Sequence, residues 1–337
     1  MKKGSLLLLL IGVVVIIASG CGSTAGNGNA NVSNGAASTT EPPAAPETSG
    51  PAEGSDASQS KEITDEAGHK VTIPSDPQRI WAPYLEDPLT VLGIKHVAQW
   101  SRGDNVIGYL KDQLDGLPKV DFGGGGLEPE NVASNNPDLI LLFASFLGND
   151  GMYENYAKIA PTYSFAMSGT DGRKTLRTLG GLLNKSETAE RAIADYEAKA
   201  AKAKERLQAA IGNKPVAIVD ISGKTFSLLG DQFYSGAVLY KDLGLTQTKL
   251  VKDAGGEAQN ELSLEKLPDL EDAYAIFMIT EEEGKAFRNE MMDSKIWTSL
   301  PAVKENRVFE ANYDYWINSG LIATGKVMDE VQSFLIK

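Results

Sequence analysis

One cysteine, two histidines and 45 carboxylates bound the chemistry open to this chain of 337 residues. Cys21 has no second cysteine for a disulfide or a thiolate metal site, and His69 and His96 show no metal-ligand spacing. The stretch DISGKTF (220–226) ends like a phosphate-binding loop. Ile218, however, stands where the first glycine of G-x-x-x-x-G-K-[ST] belongs, and a strand is expected to follow it rather than a helix. FGGGGLEPE (122–130) could cradle an anion at a helix start, but four glycines serve equally as a flexible loop, and the loop is the preferred reading. No motif supports a hydrolase built on Asp and Glu.

The surroundings of Cys21 explain its place. Lys2 and Lys3, an apolar run from Ser5 to Ile17 and the small residues Ala18-Ser19-Gly20 have the order of a secretory signal peptide over 1–20. The run is shorter than the roughly 20 residues that span a bilayer. The segment resembles a bacterial lipoprotein signal, with Ala18 where a larger aliphatic is usual. The resemblance implies that Cys21 becomes the first mature residue and carries lipid on its sulfur; the alternative is an ordinary secreted protein with a spare thiol. Residues 22–60 hold four acids, no aromatic residue and Val32 as the one sizeable aliphatic, too little to offset the entropy of ordering. Residues 21–60 thus read as a lipidated tether, with a reach of roughly 35 Å.

With Lys2 and Lys3 removed, 30 basic residues face 45 acidic ones, a charge of −15. So acidic a surface argues against nucleic acid or anionic lipid as direct partners. The remainder is long enough for two lobes. EITDEAGHKVTIP (62–74) reads as a hairpin. Strands are expected at 79–83, 97–100 and 137–145, with helices at 87–94, 129–136 and 171–184. This alternation predicts an α/β fold with a mostly parallel sheet in the lobe 61–184. The segment 185–212, rich in Ala, Glu, Lys and Arg, predicts a helix close to 40 Å long at about 1.5 Å per residue. Asn184 or Ser186 is expected to cap it, and Ala192, Tyr196, Ala200, Ala203 and Leu207 give it a narrow apolar stripe suited to a rigid connector. In the lobe 213–337, strands are expected at 216–221, 225–230, 273–280 and 307–312, and helices at 235–245, 285–292 and 319–335. Glu130 and Glu265 each open a short helix just ahead of a buried strand, one in each half.

The order of these pieces resembles a class III substrate-binding protein of an ATP-driven importer, in the iron-siderophore and cobalamin branch. ITDEAGHKVTIPSDPQRI resembles the family's opening hairpin and first strand. LGIKHV resembles its first turn, with His96 where proline is usual. LEPENVASNNPDLILL and LSLEKLPDLEDAYAIFM resemble the paired lobe motifs, and WTSLPAVKENRVFEANYDYW the C-terminal signature. The resemblance covers nearly all of 61–337. It implies two Rossmann-like lobes joined by one long helix, a ligand cleft between them and no catalytic activity.

The resemblance also implies residue roles. Glu130 and Glu265 match carboxylates that dock into arginine pockets on the permease, with Glu128 and Glu261 as near neighbours able to substitute. The plainer alternative is that both stabilise helix N-termini, worth about 0.3–1 kcal/mol each. Cleft candidates are Trp81, Tyr84, Trp100 and Arg102 in the first lobe, and Phe233, Tyr234, Tyr313, Tyr315 and Trp316 in the second. Aromatic rings and a guanidinium suit a large, partly apolar chelate. About half of the rings are expected in the core; Trp100 to Arg102 and Tyr315-Trp316 stand out because both follow expected strand ends. The implied partners are a ferric siderophore, with hydroxamate favoured, and an ABC permease with its ATPase. The protein would be a monomer held on the outer face of a Gram-positive membrane by its lipid. It would carry no cofactor, iron being bound through the siderophore alone. Alternatives are a cobalamin or haem receptor of the same fold and a purely structural surface lipoprotein.

Overall fold

The computed structural model describes residues 60–143, 145, 151–166, 171–256 and 259–336. The signal segment, Cys21 and nearly all of the tether lie outside the described residues.

The expected hairpin forms between Lys61–Thr64 and Lys70–Ile73, paired antiparallel. Buried Asp65 closes its turn by accepting the N–H groups of Ala67 and His69, and it also accepts that of Ser164 at 3.0 Å, fastening the hairpin to the lobe. In the first lobe Ile80–Trp81, Leu139–Phe143 and Thr162–Phe165 form a parallel sheet. A second sheet holds Gln99–Arg102 between the antiparallel Asn105–Val106 and the parallel Lys119–Asp121.

The second lobe is built on one six-stranded sheet. Pro215–Ser222, Ala275–Thr280 and Val308–Glu310 run parallel, with Thr225–Leu228 and Gln259–Leu262 added antiparallel at one edge. Because side chains alternate across a strand, Val216, Ile218, Ala275, Phe277 and Ile279 face one core, while Ala217, Val219, Ile276 and Met278 face another. Burial on both faces is what the unbroken apolar runs of a parallel sheet require. The sequence around Gly223-Lys224-Thr225 turns from strand to strand, so no helix follows to bind a phosphate.

Between the lobes Ser186–Ile211 forms one helix of 26 residues, as the sequence predicts. The expected caps are absent. Lys185 occupies the cap position with no side-chain bond, while Asn184 adopts a left-handed backbone and donates to the Ser75 carbonyl. The preceding helix Gly172–Leu182 packs closely against this start. Gly180 there sits so close to Ala189 that an added Cβ would lie 2.8 Å from its Cβ. The buried stripe is wider than the sequence implies, since Ala189, Ile193 and Ile211 join it and Ala192 is only partly covered.

That stripe belongs to one continuous core. It runs from Leu139, Leu141 and Phe143 in the first lobe, through the connecting helix and the closing helix Leu321–Leu335, to Ile218 and Phe277 in the second. Lys199 ties the two helices, donating to the Gly325 carbonyl and the Asp329 carboxylate at 2.7 Å each. Asp87 of the first lobe accepts the N–H groups of Ile322 and Ala323 at 3.1 and 2.9 Å, satisfying donors that a helix start leaves unpaired. Only glycine fits at the junction, because a Cβ on Gly320 would lie 2.0 Å from the Asp87 Cγ. The two lobes are thus spliced by a helix that one contributes and the other caps.

Candidate functional site

Where the strand ends of both lobes face each other, a cleft of about 630 Å³ opens. Tyr84, Trp100, Arg102 and the stretch Asn105–Gly108 line it from the first lobe. Thr280 to Glu283, Lys285, and Asn312, Tyr313, Asp314, Ile317 and Asn318 line it from the second. Both walls lie at the carboxyl ends of parallel strands, where α/β sheets place ligands.

The first-lobe wall is aromatic. Tyr84 meets Trp100 edge to face at 6.0 Å between ring centroids, and Phe122 packs at 6.2 Å from each. Tyr84 carries φ +76°, a conformation that costs a bulky side chain energy and collects at functional sites. Tyr234 in the other lobe shares that left-handed backbone, at φ +47°. Both tyrosines line a small recess of about 40 Å³ that opens off the cleft and shares Tyr84, Ile107 and Asn318 with it.

Two adjacent acids hold this wall. Glu86 is fully buried and accepts the Trp100 N–H at 2.6 Å, which fixes the strand that carries the ring. Burial pushes its carboxyl up to about 7, although the Trp100 N–H opposes the shift. Burial likewise pushes Asp87 up to about 6 against the N–H groups of Ala323 and Ile322. Asp314 joins the lobes from the opposite side, accepting the N–H groups of Gly108 and Tyr109 at 3.2 and 2.6 Å. Across the cleft mouth Arg102 pairs with Glu281 at 3.6 Å. The Arg102 side chain is 69% exposed, so the pair is worth about 1 kcal/mol or less and yields readily.

The buried acids set a pH dependence. A carboxyl raised by folding keeps its proton in the native state while the unfolded chain ionises. The stability it contributes is complete below its unfolded value and is lost as pH rises through the folded one. For Glu86 that window runs from 4.5 to about 7, a loss of roughly 3 kcal/mol by linkage. Glu86→Gln is expected to flatten that part of the curve, measured by urea unfolding at pH 5 and pH 8. An unchanged slope would show that Glu86 does not carry the effect.

Among the ligand candidates, Tyr84, Trp100, Arg102 and Tyr313 line the cleft, and Tyr234 lines the recess. The others stand elsewhere. Trp81 is 0% exposed inside a strand covered on both faces, its ring 6.2 Å from Tyr156. Trp316 is also 0% exposed; it packs 5.3 Å from Phe277 and donates its Nε1–H to Glu330 at 2.5 Å. Both are core. Tyr315 turns against Tyr109, away from the cleft lining, and Phe233 stands 38% exposed on the surface. Tyr315-Trp316 were expected at the cleft because they follow the strand expected at 307–312. Asn312 instead caps a helical turn, Tyr313–Trp316, accepting the Asp314 N–H and rotating successive side chains out of alternation.

Sequence reasoning passed over Glu86, Phe122, the stretch at Asn105, Asp314 and the run Glu281-Glu282-Glu283. The last carried a usable signal, since three acids directly after a buried strand fall at its carboxyl end. The glycine loop serves Asp121, whose Oδ1 accepts the N–H groups of Gly103 and Gly123 at 3.0 Å; a Cβ on Gly126 would strike the Asp121 backbone. A loop whose donors face a carboxylate has no use for an anion. Glu130 and Glu128 are exposed at the start of Pro129–Ser134, and Glu265 is exposed in the first turn of Leu264–Leu270, a tighter helix with Pro268 inside it. Neither Glu130 nor Glu265 pairs with a cation among the described residues. Among those residues no three His, Cys, Asp or Glu side chains are grouped to hold a metal ion.

Two α/β lobes spliced by one long helix over a cleft of small-molecule size define a substrate-binding protein of an importer. The chain belongs to the periplasmic binding protein family, whose model matches residues 91–315. It is 31% identical to the iron(3+)-hydroxamate-binding protein FhuD of Bacillus subtilis over 251 residues, 71% of this chain and 75% of that one. It is 25% identical to the probable siderophore-binding lipoprotein YfiY of the same organism, across 100% of this chain and 99% of that one. A crystal structure of a FhuD-fold component of a Fep/Fec-like ferrichrome ABC transporter from Bacillus subtilis matches with a TM-score of 0.70 and 28% identity. It covers 82% of this chain and 100% of that one. FhuD2 of Staphylococcus aureus with bound ferrioxamine B shares the fold at a TM-score of 0.65 and 24% identity, over 77% of this chain and 98% of that one.

Proposed function

We propose that this protein is a lipid-anchored receptor outside the cytoplasmic membrane, capturing a ferric siderophore of hydroxamate type and delivering it to an ABC permease and its ATPase. The observation that carries the reading is the cleft wall of Tyr84 and Trp100, backed by Phe122 and flanked by the Asn105 amide, facing Tyr313 and the amides of Asn312 and Asn318. Rings pack against the apolar linkers of a chelate, while amides and phenols donate to its hydroxamate oxygens. The relative named for iron(3+)-hydroxamate binding supports the choice. Iron needs no protein ligand there, because the siderophore supplies its coordination sphere. The receptor does no covalent chemistry and works as a monomer.

In this reading Glu130 and Glu265 dock one lobe each on the permease, as exposed charges that set register and steer encounter. Residues 1–20 are the signal peptide, and Cys21 is cleaved to the mature N-terminus and acylated. Two or three acyl chains, at about 0.8 kcal/mol per buried methylene, hold the protein stably. Cys21→Ala is expected to abolish incorporation of labelled fatty acid and to release the protein or leave its precursor uncleaved; unchanged labelling would refute the anchor. The ligand reading is tested by quenching of intrinsic tryptophan fluorescence during titration with ferric siderophores, cobalamin and haem. Saturation by a ferric hydroxamate alone is expected, whereas saturation by cobalamin or haem alone would overturn the iron assignment.

A further inference from the structure

The charge of the cleft has a consequence for which chelate it takes. Its lining holds four carboxylates, Glu281, Glu282, Glu283 and Asp314, against two cations, Arg102 and Lys285. Arg102 pairs with Glu281, and Lys285 with Glu282 at 2.5 Å. Exchange among these pairs leaves the same excess of two negative charges. No further cation lines the cleft among the described residues.

Carboxyl groups also back both walls. Behind Trp100 and Tyr84, fully buried Glu86 presents an Oε2 with no hydrogen-bond partner. It lines the recess that opens off the cleft, with Tyr84, Tyr109, Asp87 and Tyr234 as its other titratable walls. In the second lobe Asp220, close enough to Glu281 to feel its charge, has an Oδ1 that is likewise buried and unpartnered. Tyr313 stands within the field of Glu281, Asp220 and Glu283 together. The lining carboxylates therefore leave the cleft with an excess of negative charge, and the low-dielectric rings of the facing wall screen little of that field.

We propose that the cleft selects ferric chelates that carry a cationic group, and that Glu281 and Glu283 hold that group; this rests on the siderophore reading above. The hydroxamate core of such a ligand meets the rings and amides, and a protonated amine at its end replaces Arg102 as the partner of Glu281. A triply negative catecholate or a citrate chelate finds no cation left to balance it.

The test titrates the full chain, purified in detergent, with three ferric chelates: ferrioxamine B, which ends in a primary amine; its N-acetylated form, which is neutral; and a tricatecholate complex. Ferrioxamine B is expected to bind about tenfold or more tightly than its acetylated form, and the tricatecholate weakest. Added salt should weaken the cationic ligand and leave the neutral one nearly constant. Glu281→Gln combined with Glu283→Gln should bring the two hydroxamates to within about twofold of each other. If that variant does not fold, the wild-type salt response decides. Equal affinity for the two hydroxamates, or a preference for the tricatecholate, would overturn the charge selection and keep the receptor reading. Failure of all three chelates to bind would overturn both.

Discussion

Replacing Glu130 and Glu265 together by alanine is expected to reduce iron uptake to the level of cells without the receptor while ligand affinity stays unchanged. Both carboxylates are exposed, lie one in each lobe and pair with no cation among the described residues. Neither lines the cleft, so its shape and charge do not depend on them. A charge that pairs across a protein interface costs about 2–5 kcal/mol when its partner is left buried and alone, and two such losses together are prohibitive for a transient complex. Single variants should retain partial transport. The check is uptake of radioactive ferric hydroxamate in cells carrying each variant at matched protein level, beside a titration of the purified protein. Normal uptake by the double variant would assign both residues to their helix starts and nothing more.

Trp100→Ala is expected to weaken siderophore binding by at least about 2 kcal/mol, a factor of about 30, with a far smaller effect on folding. The ring is the centre of the aromatic wall, touched by Tyr84 and Phe122 and presented by a strand that Glu86 holds from behind. Trp316→Phe supplies the contrast. That ring packs on Phe277 and donates to Glu330 without reaching the cleft, so its loss should lower the melting temperature and leave affinity intact. Thermal unfolding and binding titrations of both variants separate the two roles. An affinity loss in Trp316→Phe equal to that in Trp100→Ala would erase the distinction between core and cleft.

The contrast between these tryptophans marks how far the sequence could be read. The connecting helix was legible to within a residue at each end, because a run rich in Ala, Glu, Lys and Arg bounded by Gly212 and Pro215 favours a helix. The alternation of apolar strands with helices gave the parallel sheets for a similar reason. Cleft residues were legible where they sit at the carboxyl end of a strand, as Trp100 and Arg102 do. They were not legible where the local backbone departs from its default. Tyr84 and Tyr234 reach the recess through left-handed backbones, which no propensity favours for tyrosine. Trp316 lies outside the cleft because a capped helical turn follows the strand end and carries its ring into the core. Glu86 and Asp87 were silent in the sequence because buried acids look like exposed ones until their partners are known. Those partners, Trp100 and the N–H groups of Ile322 and Ala323, lie 14 and 235–236 residues away.

The proposed occupant of the cleft between the lobes is a ferric hydroxamate. Isothermal titration calorimetry of the protein with ferrioxamine B, set beside the same titration with the iron-free molecule, tests it most directly. One site is expected, saturated at one chelate per chain, with the iron-free form bound far more weakly because its unwrapped chain does not fill the cleft. No heat with either form, or equal binding of both, would contradict it.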